Sequence, residues 1–120
     1  MTITKQSKEF SKIELYLMTA DKGIQSVKNI EDGATLQVTG YLEYDDVNAK
    51  GEESHLLSIM GEREDGRQEV WCCQSQTFKD SFYEIANLFG EDDFGIIKIS
   101  GLSKADRPYV DCKLSLTPVN

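Results

Sequence analysis

Ser75-Gln76-Thr77-Phe78-Lys79-Asp80-Ser81-Phe82-Tyr83-Glu84-Ile85-Ala86-Asn87-Leu88-Phe89-Gly90 is the stretch on which the fold turns. Phe78, Phe82, Ile85, Ala86 and Phe89 lie at i, i+4, i+7, i+8 and i+11, an apolar stripe down one face of a helix. Ser75 or Thr77 can cap its first turn, and Gly90 can end its last. On either side the periodicity falls to two. Upstream, Leu36, Val38 and Leu42 alternate with Thr35, Gln37, Thr39, Tyr41 and Glu43, a strand with one wet face. Gly40 inside it marks a bend or bulge. His55 to Met60 and Gln68 to Cys73 read as two further strands, separated by a turn at Glu64-Asp65-Gly66. Downstream of the acidic loop Glu91-Asp92-Asp93, strands are expected near Phe94 to Ser100 and from about Pro108 to Leu116.

Three strands, a helix and two strands is the chain order of the five-stranded OB barrel, a mainly β fold whose helix lies between strands three and four. A short N-terminal helix from Lys12 to Thr19 is also expected. Ser11-Lys12-Ile13-Glu14 fits a capping box, and Phe10, Ile13, Leu17 and Met18 recur at helical spacing. Ile13, Leu15 and Leu17 also alternate, so a strand is the other reading. Residues 1–10 are mostly polar and are expected to be flexible. The remainder, 11–120, reads as a single OB-fold domain.

A chain of 120 residues is long enough to bury one core without disulfides or metal. It has no apolar run of the ~20 residues that span a bilayer and no signal-peptide pattern at Met1-Thr2-Ile3-Thr4-Lys5, so the expected location is cytoplasmic. The three cysteines agree with a reducing compartment: Cys72 and Cys73 are neighbours and point to opposite faces of a strand. With one histidine and no Cys-x-x-Cys, no zinc site and no other cofactor is expected. Catalytic signatures are missing too. There is no Gly-x-Ser-x-Gly and no phosphate-binding Gly-x-x-x-x-Gly-Lys-Ser/Thr. His55 reads as a surface residue, and Asp45-Asp46 and Asp92-Asp93 as solvated loop acids. The protein is therefore not expected to be an enzyme.

The formal net charge of −8 opposes nucleic-acid binding over the whole surface. Charges beyond a Debye length of ~8–10 Å are screened, however, so a local basic patch can still hold phosphates. Lys98, Lys104, Arg107 and Lys113 gather in the last hairpin against only Asp106 and Asp111. Lys50, Arg63 and Arg67 fall at the tips of the other two hairpin connections. Tyr41, Trp71 and Tyr109 alternate with apolar residues and are expected on wet faces, where rings can stack bases. The candidate nucleic-acid-binding set is Tyr41, Lys50, Trp71, Lys98, Lys104, Arg107, Tyr109 and Lys113.

Four stretches carry a resemblance. Ser100-Gly101-Leu102-Ser103-Lys104-Ala105-Asp106-Arg107-Pro108-Tyr109-Val110-Asp111-Cys112 resembles the last hairpin of phage-encoded single-stranded DNA-binding proteins of Gram-positive hosts. Gly40 to Glu52, Gln74 to Phe82 and Leu15 to Thr19 resemble their first strand and loop, their helix start and their opening segment. The resemblance implies an OB fold and sequence-nonspecific binding of single-stranded DNA in phage replication or recombination, with no catalytic residues. By position it favours Lys104, Arg107, Tyr109, Tyr41 and Lys50. Leu102 departs from a usual small polar residue, and Asp106 from a usual glycine. The short C-terminus, Leu116-Thr117-Pro118-Val119-Asn120, lacks the acidic partner-recruiting tail of housekeeping homologues. Expected partners are single-stranded DNA, with RNA, a homodimer and phage replication or recombination proteins left open, and no membrane. The competing reading, motivated by the charge of −8, is an OB-type protein-interaction module that binds a host replication or defence protein through its acidic loops.

Overall fold

The computed structural model describes residues 1–116. The short C-terminal segment after Leu116 lies outside them. The elements in order are β1 (Thr2–Gln6), α1 (Lys12–Thr19), β2 (Gln25–Ser26), a 3-10 turn (Val27–Asn29), β3 (Thr35–Val47), β4 (Glu53–Glu62), β5 (Gln68–Cys73), α2 (Gln76–Phe89), β6 (Phe94–Leu102) and β7 (Pro108–Leu114). The five strands and two helices expected from periodicity are all there. Two strands, β1 and β2, come in addition, so among the described residues the sheet has seven strands rather than five. The result is a mainly β protein: a single curled, half-barrel sheet with two helices. Its strand order is β2-β5-β4-β3-β6-β7, with β1 paired to β3, and only β2–β5 is parallel.

The curl originates in β3. One edge of this strand pairs with β4 along nearly its whole length. The other edge is shared: Thr35–Val38 pair with β6, and Leu42–Asp45 pair with β1. Between the two lies a break in register at Val38/Gly40. A bulge inserts one residue, bends the strand and increases its twist. Gly40 is needed there because a Cβ would come within 2.8 Å of the Phe10 ring.

Two apolar clusters follow. On the inner face, Leu36, Val38, Leu57, Ile59, Trp71, Cys73, Phe94, Ile96 and Cys112 pack on Phe78, Phe82 and Ala86 of α2. Ser75 caps this helix by accepting from the Phe78 amide at 3.2 Å. Burying each Phe contributes roughly 1.5–3 kcal/mol. On the outer face, Leu42 and Tyr44, with Leu56, Met60 and Val70, are covered by Leu15 and Met18 of α1 and by Ile3 and Phe10. The capping box of α1 is formed by Ser11 and Glu14. Ser58, buried under α1, donates to the Met18 carbonyl at 2.7 Å.

Residues 2–6, expected to be flexible from their polarity, form β1. Their backbone pairs with the edge of β3 that β6 leaves free beyond the bulge, and Lys5 Nζ sits 3.9 Å from the centre of the Tyr83 ring. An edge strand can be polar on its open side, so composition alone understates its order.

Burial pushes the Cys73 and Cys112 thiols and the Tyr44 phenol up to about 12. In the unfolded chain these groups return towards 9 and 10, so the native state keeps protons that the unfolded state releases. Glu69 runs the other way. Its burial is outweighed by donors from Trp71 and Arg63, and its carboxyl lies below the ordinary 4.5. The stability contributed by the buried thiols and phenol is therefore complete below pH 9 and lost as pH rises towards 12. The Glu69 contribution is present above pH 4.5 and lost as pH falls below it. Urea unfolding midpoints measured across pH in a reducing buffer should plateau between these limits and fall on both sides.

Candidate nucleic-acid interface

The β6–β7 hairpin carries Lys98, Lys104, Arg107, Tyr109 and Lys113 of the candidate residues. Its register pairs Ile97 with Lys113, Ile99 with Asp111 and Gly101 with Tyr109. Strand alternation puts Tyr109, Asp111 and Lys113 on one face and Val110, Cys112 and Leu114 on the other, as the sequence implied. Tyr109 is 41% exposed. Its phenol end lies across Gly101: a Cβ at that glycine would come within 2.6 Å of the Tyr109 Cζ. The missing side chain makes a shelf for the ring.

At the tip, Ser103 organises the turn. Its amide donates to the Arg107 carbonyl at 2.9 Å, and its hydroxyl accepts from the Ala105 and Arg107 amides at 3.3 and 3.2 Å. Asp106 adopts φ 55°, in the left-handed region. The β3–β4 and β4–β5 turns close through the same backbone pattern, Asn48 to Glu52 and Arg63 to Arg67, with Gly51 at φ 81° and Gly66 at φ 89° in the corresponding place. Asp106 thus occupies a position that glycine suits better. Lys104, Arg107 and Lys113 are exposed and, among the described residues, have no carboxylate within ion-pair distance.

Three expected site residues are placed otherwise. Tyr41 was expected to oppose the Leu36/Val38/Leu42 face. The bulge reverses the alternation, so Tyr41 pairs with Ile59 and turns inward. There it meets Phe82 edge-on at 5.0 Å and Tyr83 at 6.0 Å, and burial pushes its phenol pKa up. Trp71, also expected outward, is fully buried in the inner cluster. It lies opposite Ile59, and its Nε1 donates to Glu69 at 3.0 Å. Val70 and Cys72 take the α1 side instead.

Lys98, expected among the free cations of the hairpin, is buried. Its ammonium donates to the Ile30 carbonyl at 2.8 Å, Asp32 at 2.8 Å and Ser100 Oγ at 2.9 Å, tying the loop before β3 to β6. The Lys98 and Ser100 donors hold the Asp32 carboxyl below the ordinary carboxylate range.

Other cations are also engaged. Arg63 pairs with Glu31 at 2.5 Å and Glu69 at 3.0 Å, and Arg67 with Asp65 at 2.7 Å. Lys79, on α2, is buried and donates to the His55 carbonyl at 2.8 Å. Lys50 is exposed in a turn where Asn48 Oδ1 accepts from its amide at 2.9 Å. Its turn lies beyond the C-terminal end of β3, whereas the register carries the 103–107 turn past the N-terminal end. The structure therefore gathers Lys104, Arg107, Tyr109 and Lys113 and leaves Lys50 apart. Lys5 and Lys8 lie over the Tyr83 and Phe10 rings, at 3.9 and 5.6 Å. Sequence reasoning missed them because nothing in a polar N-terminus announces a strand.

His55 Nδ1 lies 2.5 Å from Asp45 Oδ1 on paired strands, in an exposed contact. Among the described residues, no group of three or more His, Cys, Asp or Glu is arranged to hold a metal ion, and no helix is long and apolar enough to cross a membrane.

Comparison with protein-family models, with curated proteins and with solved structures finds no match to this chain.

If Lys98 is a tie rather than a phosphate contact, Lys98→Ala should cost about 1.5–3 kcal/mol in urea unfolding. Its affinity for oligonucleotides, measured on the folded fraction, should stay at the wild-type value.

Proposed function

We propose that the protein binds single-stranded DNA without sequence preference, and that the β6–β7 hairpin is its main contact. In this reading the curled sheet is an OB barrel: β3, β4, β5, β6 and β7 are its five strands, α2 is the helix between the third and fourth, and β1 and β2 are additions. The observation that carries the proposal is Tyr109. It is a solvent-facing ring seated on Gly101, between cations at the tip and at Lys113 that have no ion-pair partner among the described residues. A flat ring stacks any base, and long cations beside it follow the phosphates. The outer face of β3, β4 and β5 lies under α1, so the strand would track along the hairpin rather than across that face. The likeness of the hairpin to those of phage single-stranded DNA-binding proteins ties the reading to phage replication or recombination.

An oligonucleotide titration at several salt concentrations tests it. With Lys104, Arg107 and Lys113 as the phosphate contacts, the logarithm of affinity should fall against that of salt with a slope near −2, at about 0.7 per contact. Arg107→Ala should reduce that slope by about 0.7. Tyr109→Ala should weaken binding by about 1–3 kcal/mol at constant salt. Trp71 emission should be unmoved by saturating DNA, since that ring is enclosed. Wild-type affinity in Tyr109→Ala would remove the stacking mechanism.

Asp106→Gly should act in two ways. Releasing a non-glycine residue from positive φ should raise stability by about 0.5 kcal/mol. Removing a carboxylate beside Arg107 should tighten DNA binding, most visibly at low salt.

A further inference from the structure

The solvent side of α1 is apolar. Ile13, Tyr16 and Leu17, at i, i+3 and i+4, are 74%, 54% and 38% exposed. Beside them a groove of about 500 Å³ runs between α1 and the start of β5. Leu17, Met60 and Val70 form its apolar part and Glu14 and Asp21 its acidic rim, while Glu69 also lines it but turns its carboxylate to Arg63 and Trp71. Arg67, the one basic residue lining it, is already held by Asp65 at 2.7 Å. The neighbouring backbone edge is open as well: β2 pairs with Trp71 and Cys72, leaving the outer edge of Gln68–Val70 without a strand among the described residues.

The charge on the rim selects the occupant. Two copies meeting groove to groove would set carboxylates against carboxylates, a costly arrangement. The complementary surface is the tip of the β6–β7 hairpin. Leu102 is 66% exposed, next to Lys104 and Arg107, which have no ion-pair partner among the described residues. Leu102 pairs with Pro108, and Gly101 with Tyr109, so alternation puts Leu102 on the opposite face of the hairpin from the Tyr109 ring. Base stacking on Tyr109 does not use that leucine.

We propose that the protein self-associates head to tail, with Leu102, Lys104 and Arg107 of one copy docking into the acidic groove between α1 and β5 of the next. The contact joins two different surfaces, so a docked pair keeps a free hairpin at one end and a free groove at the other, and the assembly stays open. A hairpin tip buries less than the ~1,200 Å² of a stable interface, which makes the association weak and reversible.

Sedimentation velocity without nucleic acid, from micromolar to millimolar protein, tests this. The weight-average sedimentation coefficient should rise with concentration, pass the dimer value without a plateau, and fall back at high salt. A groove variant, Leu17→Lys with Gln25→Lys and Gln68→Lys, changes positions outside the caps and ion pairs. A hairpin variant combines Lys104→Glu with Arg107→Glu. Each alone should weaken association at least about tenfold, and an equal mixture of the two should restore it, because each then offers the charge the other lacks. Tyr109→Ala should self-associate as the wild type does, so failure of the DNA reading and failure of this one are separable. A monomer at every concentration, a plateau at two copies, or no rescue on mixing would overturn the proposal.

Discussion

The kink in β3 at Val38–Gly40 is the constraint on which the rest of the molecule depends. A straight strand of this length would carry β6 along its whole edge and keep Leu36, Val38 and Leu42 on one side. The inserted residue does two things at once. It hands the edge of β3 from β6 to β1, and it exchanges the two faces of the strand. Leu36 and Val38 then serve the inner core on α2, while Leu42 and Tyr44 serve a second core under α1. The packing of Gly40 against the Phe10 ring locks the bend to the segment that leads into α1. One small residue thus couples the segment ahead of α1 to the curled sheet.

The same feature explains what could be read from the residues beforehand. Element existence followed from periodicity: the stripe of α2, its Ser75 cap, the capping box at Ser11, and five strands in order. Even the bulge was legible, from a glycine inside an alternating run. Its consequence was not, because adding one residue inverts every assignment beyond it. Tyr41 went from expected platform to a ring packed on Phe82. Trp71 had a different cause. Both faces of β5 are covered, so alternation carried no information about which side was wet, and the large ring took the larger core. Lys98 shows a third limit: a lysine in a basic-looking hairpin is indistinguishable in sequence from one recruited by a loop nearly seventy residues away.

Electrostatics narrows the candidate surface by subtraction. In a chain of net charge −8, most well-placed cations already have structural duties. Arg63 holds Glu31 and Glu69, Lys98 holds Asp32, and Lys79 holds a carbonyl of β4. The hairpin stands out because Lys104, Arg107 and Lys113 have no ion-pair partner among the described residues and because Gly101 seats an aromatic ring between them.

The divided edge of β3 has one more consequence. Were the first six residues cut away or displaced by a fused tag, the stretch from Leu42 to Asp45 would lose its neighbour. Several amides and carbonyls would then stand ready to recruit a strand from any other polypeptide. The lysine-bearing segment at the N-terminus therefore works as a guard against misassembly: a short, charged ribbon laid over backbone that would otherwise be adhesive.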